Sequence, residues 1–186
     1  SVIGWACTNS VSTLITYPTN VTFVSNSTAN STGSQTSGNL SANRTYTLTC
    51  TNSVGTTDTD TKTVTVVAAP TATISASPNP INSSTPSDIT WVCGNSTTGV
   101  VKYGATTFAS GTSGGPLTTG NLTANRTYNL TCTNAAGTTA TDSVTVTIAG
   151  APTATLTPTP SLINYNTPSV IGWACTNSVS TLITYP

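Results

Sequence analysis

Apolar residues along this chain alternate with threonine. Tyr46, Leu48 and Cys50 share one parity, with Thr45, Thr47, Thr49 and Thr51 on the other. Tyr128, Leu130 and Cys132 repeat the pattern, and Val144, Val146 and Ile148 continue it against Thr145 and Thr147. A period of two is that of a strand with one face buried. No segment sustains a 3.6-residue apolar period, and Thr and Val both favour strands. Between the alternating runs lies TNSVGTT or TNAAGTT, an Asn-initiated turn with Gly55 or Gly137 placed for a positive φ. These features predict a hairpin. Ile89 with Trp91, and Ile171 with Trp173, mark an earlier inward-facing strand. Pro78, Pro80, Pro158 and Pro160 fit only a kinked edge strand, because proline cannot donate to a ladder. Several short strands separated by turns predict an antiparallel β-sandwich.

The pattern recurs on two scales. Residues 1–18 and 169–186 both read SVIGWACTNSVSTLITYP, so the period is 169 − 1 = 168 residues. The chain thus spans one period and the opening of the next, a window on a longer repeating polymer. Inside the period, GNLSANRTYTLTCTNSVGTT (38–57) matches GNLTANRTYNLTCTNAAGTT (120–139). APTATISASPNPINSSTPSDITWVC (69–93) matches APTATLTPTPSLINYNTPSVIGWAC (151–175) without a gap. The two halves span 82 and 86 residues (Pro70 to Pro152 is 82, and 168 − 82 is 86), with the net difference between Trp5 and Gly38. Each is a suitable size for one domain. The expected division is 1–67, a domain lacking its first strand; 68–149, a complete domain; and 150–186, the opening of a third. The junctions VVAAPT and IAGAPT are short and carry proline, so neighbours should be closely coupled.

The run P-T-A-T-[IL], then W-x-C, then N-R-T-Y-x-L-T-C-T-N-x-x-G-T resembles the immunoglobulin-like and PKD-like repeats of bacterial surface proteins. The resemblance covers essentially the whole chain. It implies an all-β fold of tandem immunoglobulin-like sandwiches in an extracellular surface or fibre protein. One departure is that Trp91-Val92-Cys93-Gly94-Asn95 stands where PKD-like repeats carry W-x-F-G-D-G, so no cysteine geometry is carried over.

The period also organises the five cysteines. Cys7 and Cys50 belong to one domain, Cys93 and Cys132 to the next, and Cys175 is the copy of Cys7. Each pair has one cysteine on the Trp strand and one on the Tyr strand, both on the core parity. Matched parity and near-equal spacing predict intradomain bridges Cys7–Cys50 and Cys93–Cys132, with Cys175 unpaired. Pairs of free buried thiols are the rival reading. Bridges imply an oxidising compartment outside the cytoplasm.

Composition removes whole classes of function. The chain has 46 Thr, 23 Ser and 17 Asn but four basic and four acidic residues, and no Glu, His or Met. Four dispersed positive charges cannot neutralise a phosphate backbone, which argues against nucleic-acid binding. Without His or Glu the common general bases are missing, so no catalytic residue is assigned. Two cysteines per domain and no histidine make no metal set, Asp58 and Asp60 form no calcium loop, and no cofactor is expected. The longest apolar run, such as Val66–Ala69, is about four residues, far short of the roughly 18 that span a bilayer. No signal peptide is visible, and an opening at Ser1 reads as a processed chain or a fragment. Abundant Thr and Ser with low charge point towards disorder, but 35% hydrophobic residues argue for a packed fold.

The remaining candidates are structural. Trp5, Trp91 and Trp173 sit beside inward cysteines and are expected in cores rather than as carbohydrate platforms. Tyr46 and Tyr128 are expected in the core as corner tyrosines with hydroxyls bonded to backbone. Tyr17, Tyr103 and Tyr165 are less constrained and suit interfaces. Arg44 and Arg126, with Asp60 and Asp142, recur at equivalent positions and suggest internal ion pairs or backbone bonds near the last hairpin. Lys62 or Lys102 could form an isopeptide link to Asn. The Thr face of that hairpin reads as solvated, with a glycan-bearing or laterally packed face as the alternative. Ten N-x-[ST] sequons occur where roughly six are expected by chance, a slight excess; Asn20, Asn43, Asn95 and Asn125 are the glycosylation candidates.

Identical repeats suit a spacer, because length matters and no single copy must recognise anything. The expected function is a repeat unit of a long extracellular filament or cell-surface stalk. The alternative is an adhesin or glycan-binding module. Expected partners are further copies of the repeat, covalently continuous or joined by strand donation, with lateral fibre contacts.

Overall fold

The alternation of threonine and apolar residues becomes two long hairpins, one in each of two compact units, Ser1–Val67 and Ala68–Pro186. The computed structural model describes residues 1–18 and 21–185. Among these the chain is all-β, with no helix.

In the first unit, β1 (Val2–Ala6) pairs antiparallel with β4 (Thr32–Thr36). A second sheet runs β3 (Val21–Asn26), β2 (Ser12–Tyr17), β5 (Arg44–Thr51) and β6 (Thr57–Val64). In the second unit, residues 68–149 repeat this plan with one strand more. Here β7 (Thr71–Ser77), β8 (Asp88–Gly94) and β11 (Ser113–Thr118) form a three-stranded sheet in the order β11-β8-β7. Facing it are β10 (Thr106–Ser110), β9 (Thr98–Tyr103), β12 (Arg126–Thr133) and β13 (Thr139–Val146), in that order. Then β14 (Thr153–Thr159) and β15 (Val170–Thr176) pair only with each other. Their register, Leu156 opposite Trp173, is that of Ile74 opposite Trp91 between β7 and β8.

One core lies between the two sheets of the second unit. Ile74, Ile89 and Trp91 come from the three-stranded sheet, and Val101, Tyr128, Leu130 and Val146 from the other. Burying each large apolar side chain contributes about 1.5–3 kcal/mol. The Asx turn closes the last hairpin as expected: Asn134 Oδ1 accepts from the Ala136 and Thr138 N–H groups, both at 3.0 Å. Gly137 supplies the positive φ of 80°.

Pro78 and Pro80 mark where the first strand changes sheets. A proline has no N–H and leaves the ladder. Beyond them the Ile81 N–H donates to Thr147 O (2.9 Å), and the Ala149 N–H donates to Ile81 O (2.8 Å). This parallel bridge ties the end of the first strand to the last.

The length difference between the units lies in loops. β2 and β3 join across residues 18–20, whereas β9 and β10 join across Gly104 and Ala105. Residues 27–31 between β3 and β4 replace the two-residue link between β10 and β11. Part is offset at Gly114–Leu117, where the β11–β8 register shifts.

Candidate functional site: bridged cores and an open sheet edge

A disulfide joins the two sheets of each unit. Cys7 of the segment leaving β1 bonds Cys50 of β5, and Cys93 of β8 bonds Cys132 of β12, with Cα–Cα distances of 5.7 and 5.5 Å. Closing loops of 43 and 39 residues stabilises each fold by about 4 kcal/mol through the entropy of the unfolded chain. Cys175 is a free, exposed thiol. Two disulfides suit an oxidising environment, where such bonds form and persist.

The three tryptophans occupy graded environments. Trp91 is buried, and its Nε1–H donates to Gly111 O at 3.0 Å. Trp5 is half-buried, with Nε1 at 3.4 Å from Ser31 Oγ. Trp173, expected in a core, is instead exposed, because β14 and β15 form a hairpin with no facing sheet among the described residues. Gly114 and Gly33 lie opposite Trp91 and Trp5, and a Cβ at either would run into the indole. Apolar alternation does not reveal this constraint, although a glycine at a strand interior is its signal.

Tyr46 and Tyr128 are buried as expected, but they are not corner tyrosines bonded to backbone: neither hydroxyl has a hydrogen-bond partner among the described residues. Their rings hold them instead, Tyr128 edge-on to Phe108 (4.9 Å) and Tyr103 (5.7 Å), Tyr46 to Phe23 (5.0 Å) and Tyr17 (6.1 Å). Tyr17 and Tyr103 are thus half-buried members of aromatic triads, while Tyr165 is fully exposed. Arg126 lies over the Tyr103 ring at 4.7 Å and Arg44 over Tyr17 at 4.6 Å. The recurring arginines therefore make cation–π contacts rather than ion pairs with Asp60 and Asp142. Spacing hides this, because the aromatic partners lie on a different strand.

Asp142 has a specific task. Its Oδ2 accepts the Ile74 N–H at 2.9 Å, fastening β7 to β13 across the edge of the sandwich. The Asn134 Nδ2 donates to Ala68 O (2.9 Å), and Asn79 bridges Thr145 O and the Thr147 N–H (2.8 and 2.9 Å). In the first unit the matching edge is open: β1 pairs only with β4 among the described residues. Asp60, the counterpart of Asp142, holds the Thr61 N–H and exposed Lys62 on Oδ1, and no described donor reaches its Oδ2. Leu48 and Cys50 are half-buried, where Leu130 and Cys132 are fully buried. Lys62 is exposed, outside any buried setting for an isopeptide link.

On the Thr face, Thr45 and Thr63 share a 2.7 Å hydroxyl bond, as do Thr127 and Thr145 at 2.8 Å. Among the glycosylation candidates, Asn43 Oδ1 accepts the Val66 N–H and Asn125 Oδ1 the Ile148 N–H. Asn95 donates through Nδ2, the atom a glycan would take, to Ala69 O. Asn20 lies outside the described residues. No group of three or more Cys, Asp, Glu or His side chains could hold a metal among the described residues. No described helix is long and apolar enough to cross a membrane. In comparisons with known proteins, no family model and no curated protein matched the chain.

Proposed function

We propose that the chain is a repeat unit of a long extracellular filament or cell-surface stalk, built from tandem immunoglobulin-like sandwiches and acting as a spacer. The observation that carries this reading is the return of the sequence after 168 residues, with β15 covering the residues that repeat β1, together with the return of the β7–β8 register in β14–β15. A recognition module needs one good site, whereas a spacer needs many equal ones. The immunoglobulin-like reading is supported by the three-plus-four strand arrangement, the bridge between sheets and the first strand that switches sheets at prolines. The oxidising compartment implied by the disulfides fits the cell exterior. Further copies of the repeat are the partners this reading requires, and the Thr ladders offer neutral faces for lateral packing.

Antibodies against SVIGWACTNSVSTLITYP test the spacer against the adhesin alternative. Regular labelling along fibres on the source cells supports the spacer. Labelling confined to fibre tips would favour the adhesin.

A further inference from the structure

We propose that the first and last strands of the second unit form a load-bearing seam, and that the Cys93–Cys132 bridge sets how much chain tension can draw out of it. The inference rests on the repeat-unit reading, which puts both ends of each unit under tension. It goes beyond that reading by naming the bonds that resist.

The seam is a ladder made partly of side chains. Asn134 Nδ2 donates to Ala68 O (2.9 Å), a partner 66 residues away. The Ile74 N–H donates to Asp142 Oδ2 (2.9 Å) at a separation of 68. Asn79 Nδ2 donates to Thr145 O (2.8 Å), and Asn79 Oδ1 accepts the Thr147 N–H (2.9 Å), at separations of 66 and 68. The Ile81 N–H donates to Thr147 O (2.9 Å) and Ile81 O accepts the Ala149 N–H (2.8 Å), again 66 and 68 residues apart. Each rung thus straddles a separation of 67, that of the parallel bridge between Ile81 and Ile148. A constant separation means that the two segments run side by side in one direction, from the Ala68 end to the Ala149 end. At Ile81 the rungs are backbone to backbone; elsewhere Asn79, Asn134 and Asp142 supply one partner.

This geometry decides how the unit meets a pull. The chain enters at Ala68, where Asn134 holds the seam, and leaves at Ala149, where Ile81 holds its other end. Tension therefore drags the two strands past each other along their common direction. The six bonds are loaded together, whereas a pull across the seam would open them one at a time.

The bridge then limits the release. Cys93 on β8 and Cys132 on β12 close a loop with a separation of 39 residues. Outside it lie 25 residues from Ala68 to Cys93 and 17 from Cys132 to Ala149, and these contain β7 and β13. Once the seam slips, those 42 residues extend to about 150 Å at most, at about 3.5 Å each. The loop stays closed, its ends held covalently with a Cα–Cα distance of 5.5 Å. Without the bridge, its 39 residues would add about 130 Å. Val101, Leu122, Tyr128 and Leu130 of the core lie inside the loop, so a stretched unit keeps a bridged remnant on which β7 and β13 can reform.

A force clamp on the full 186-residue chain, held by handles at its two ends, tests the seam. The first unit's release is the internal reference. Cys93→Ala with Cys132→Ala should lengthen the second unit's release by about 130 Å and leave the other release unchanged. Asn79→Ala, which removes two rungs, should shorten the wait before that release about tenfold at a given force. Val101→Ala, a core change inside the bridged loop, should shorten it less than about threefold, although both variants lower the urea midpoint. A release of unchanged length in the chain without the bridge would overturn the inference. So would a Val101→Ala effect as large as that of Asn79→Ala, a comparison that needs no change to the bridge. None of these outcomes touches the labelling pattern along fibres, so the two readings fail separately.

Discussion

Leu130 and Leu48 are the same residue in two copies of one strand, and they differ in what covers them. Leu130 is sealed under β7, while Leu48 borders the open edge. Leu130→Ala should therefore destabilise the second unit by about 3–4 kcal/mol, with a cavity left behind. Leu48→Ala should cost the first unit less, about 1–2 kcal/mol, because a half-exposed side chain forfeits part of the transfer term. Urea unfolding of the two variants checks the order, and equal losses would contradict it. Gly114→Ala should displace the Trp91 indole, read as a shift of tryptophan emission towards red, because the new methyl occupies the ring's place. At this scale parity made the core residues legible, and the cysteine partners with them. The Tyr128 hydroxyl and the Arg126–Tyr103 contact were not, because both depend on which strands become neighbours rather than on spacing along one strand.

Hairpins are the most legible elements. Alternation and an Asx turn are local, so β5–β6 and β12–β13 follow directly from the sequence. The path of residues 78–81 was only half legible: proline announced a kink, but the parallel bridge to the end of β13 joins residues far apart in sequence and leaves no local period. Asp142 is the hinge pin of that edge. Asp142→Ala should leave the Ile74 N–H without its acceptor and speed hydrogen exchange over 72–76, a loss of about 1–3 kcal/mol in local opening. Exchange rates unchanged from the parent would show that β7 is held by side-chain packing alone. The bridges act on the same elements. Replacing Cys93 and Cys132 by Ala should lower the stability of the second unit by about 2–5 kcal/mol, measured by thermal unfolding, while leaving the transition of the first unit in place. A matching drop in both transitions would mean that the units do not unfold independently.

At the scale of the molecule, the period was plain from the sequence, because eighteen residues return unchanged. Less plain was how unequal the copies would be in their surroundings. Trp5 and Trp173 share one sequence context, and Trp91 a related one, yet the three are half-buried, exposed and buried, since burial depends on strands distant in sequence. In the proposed spacer, repetition serves length. Chains carrying one, two and four periods, studied by small-angle X-ray scattering under oxidising conditions, test this. A spacer gives a maximum dimension that rises by the same increment with every added period. A dimension that grows only as the cube root of mass, as in a collapsed particle, would contradict it.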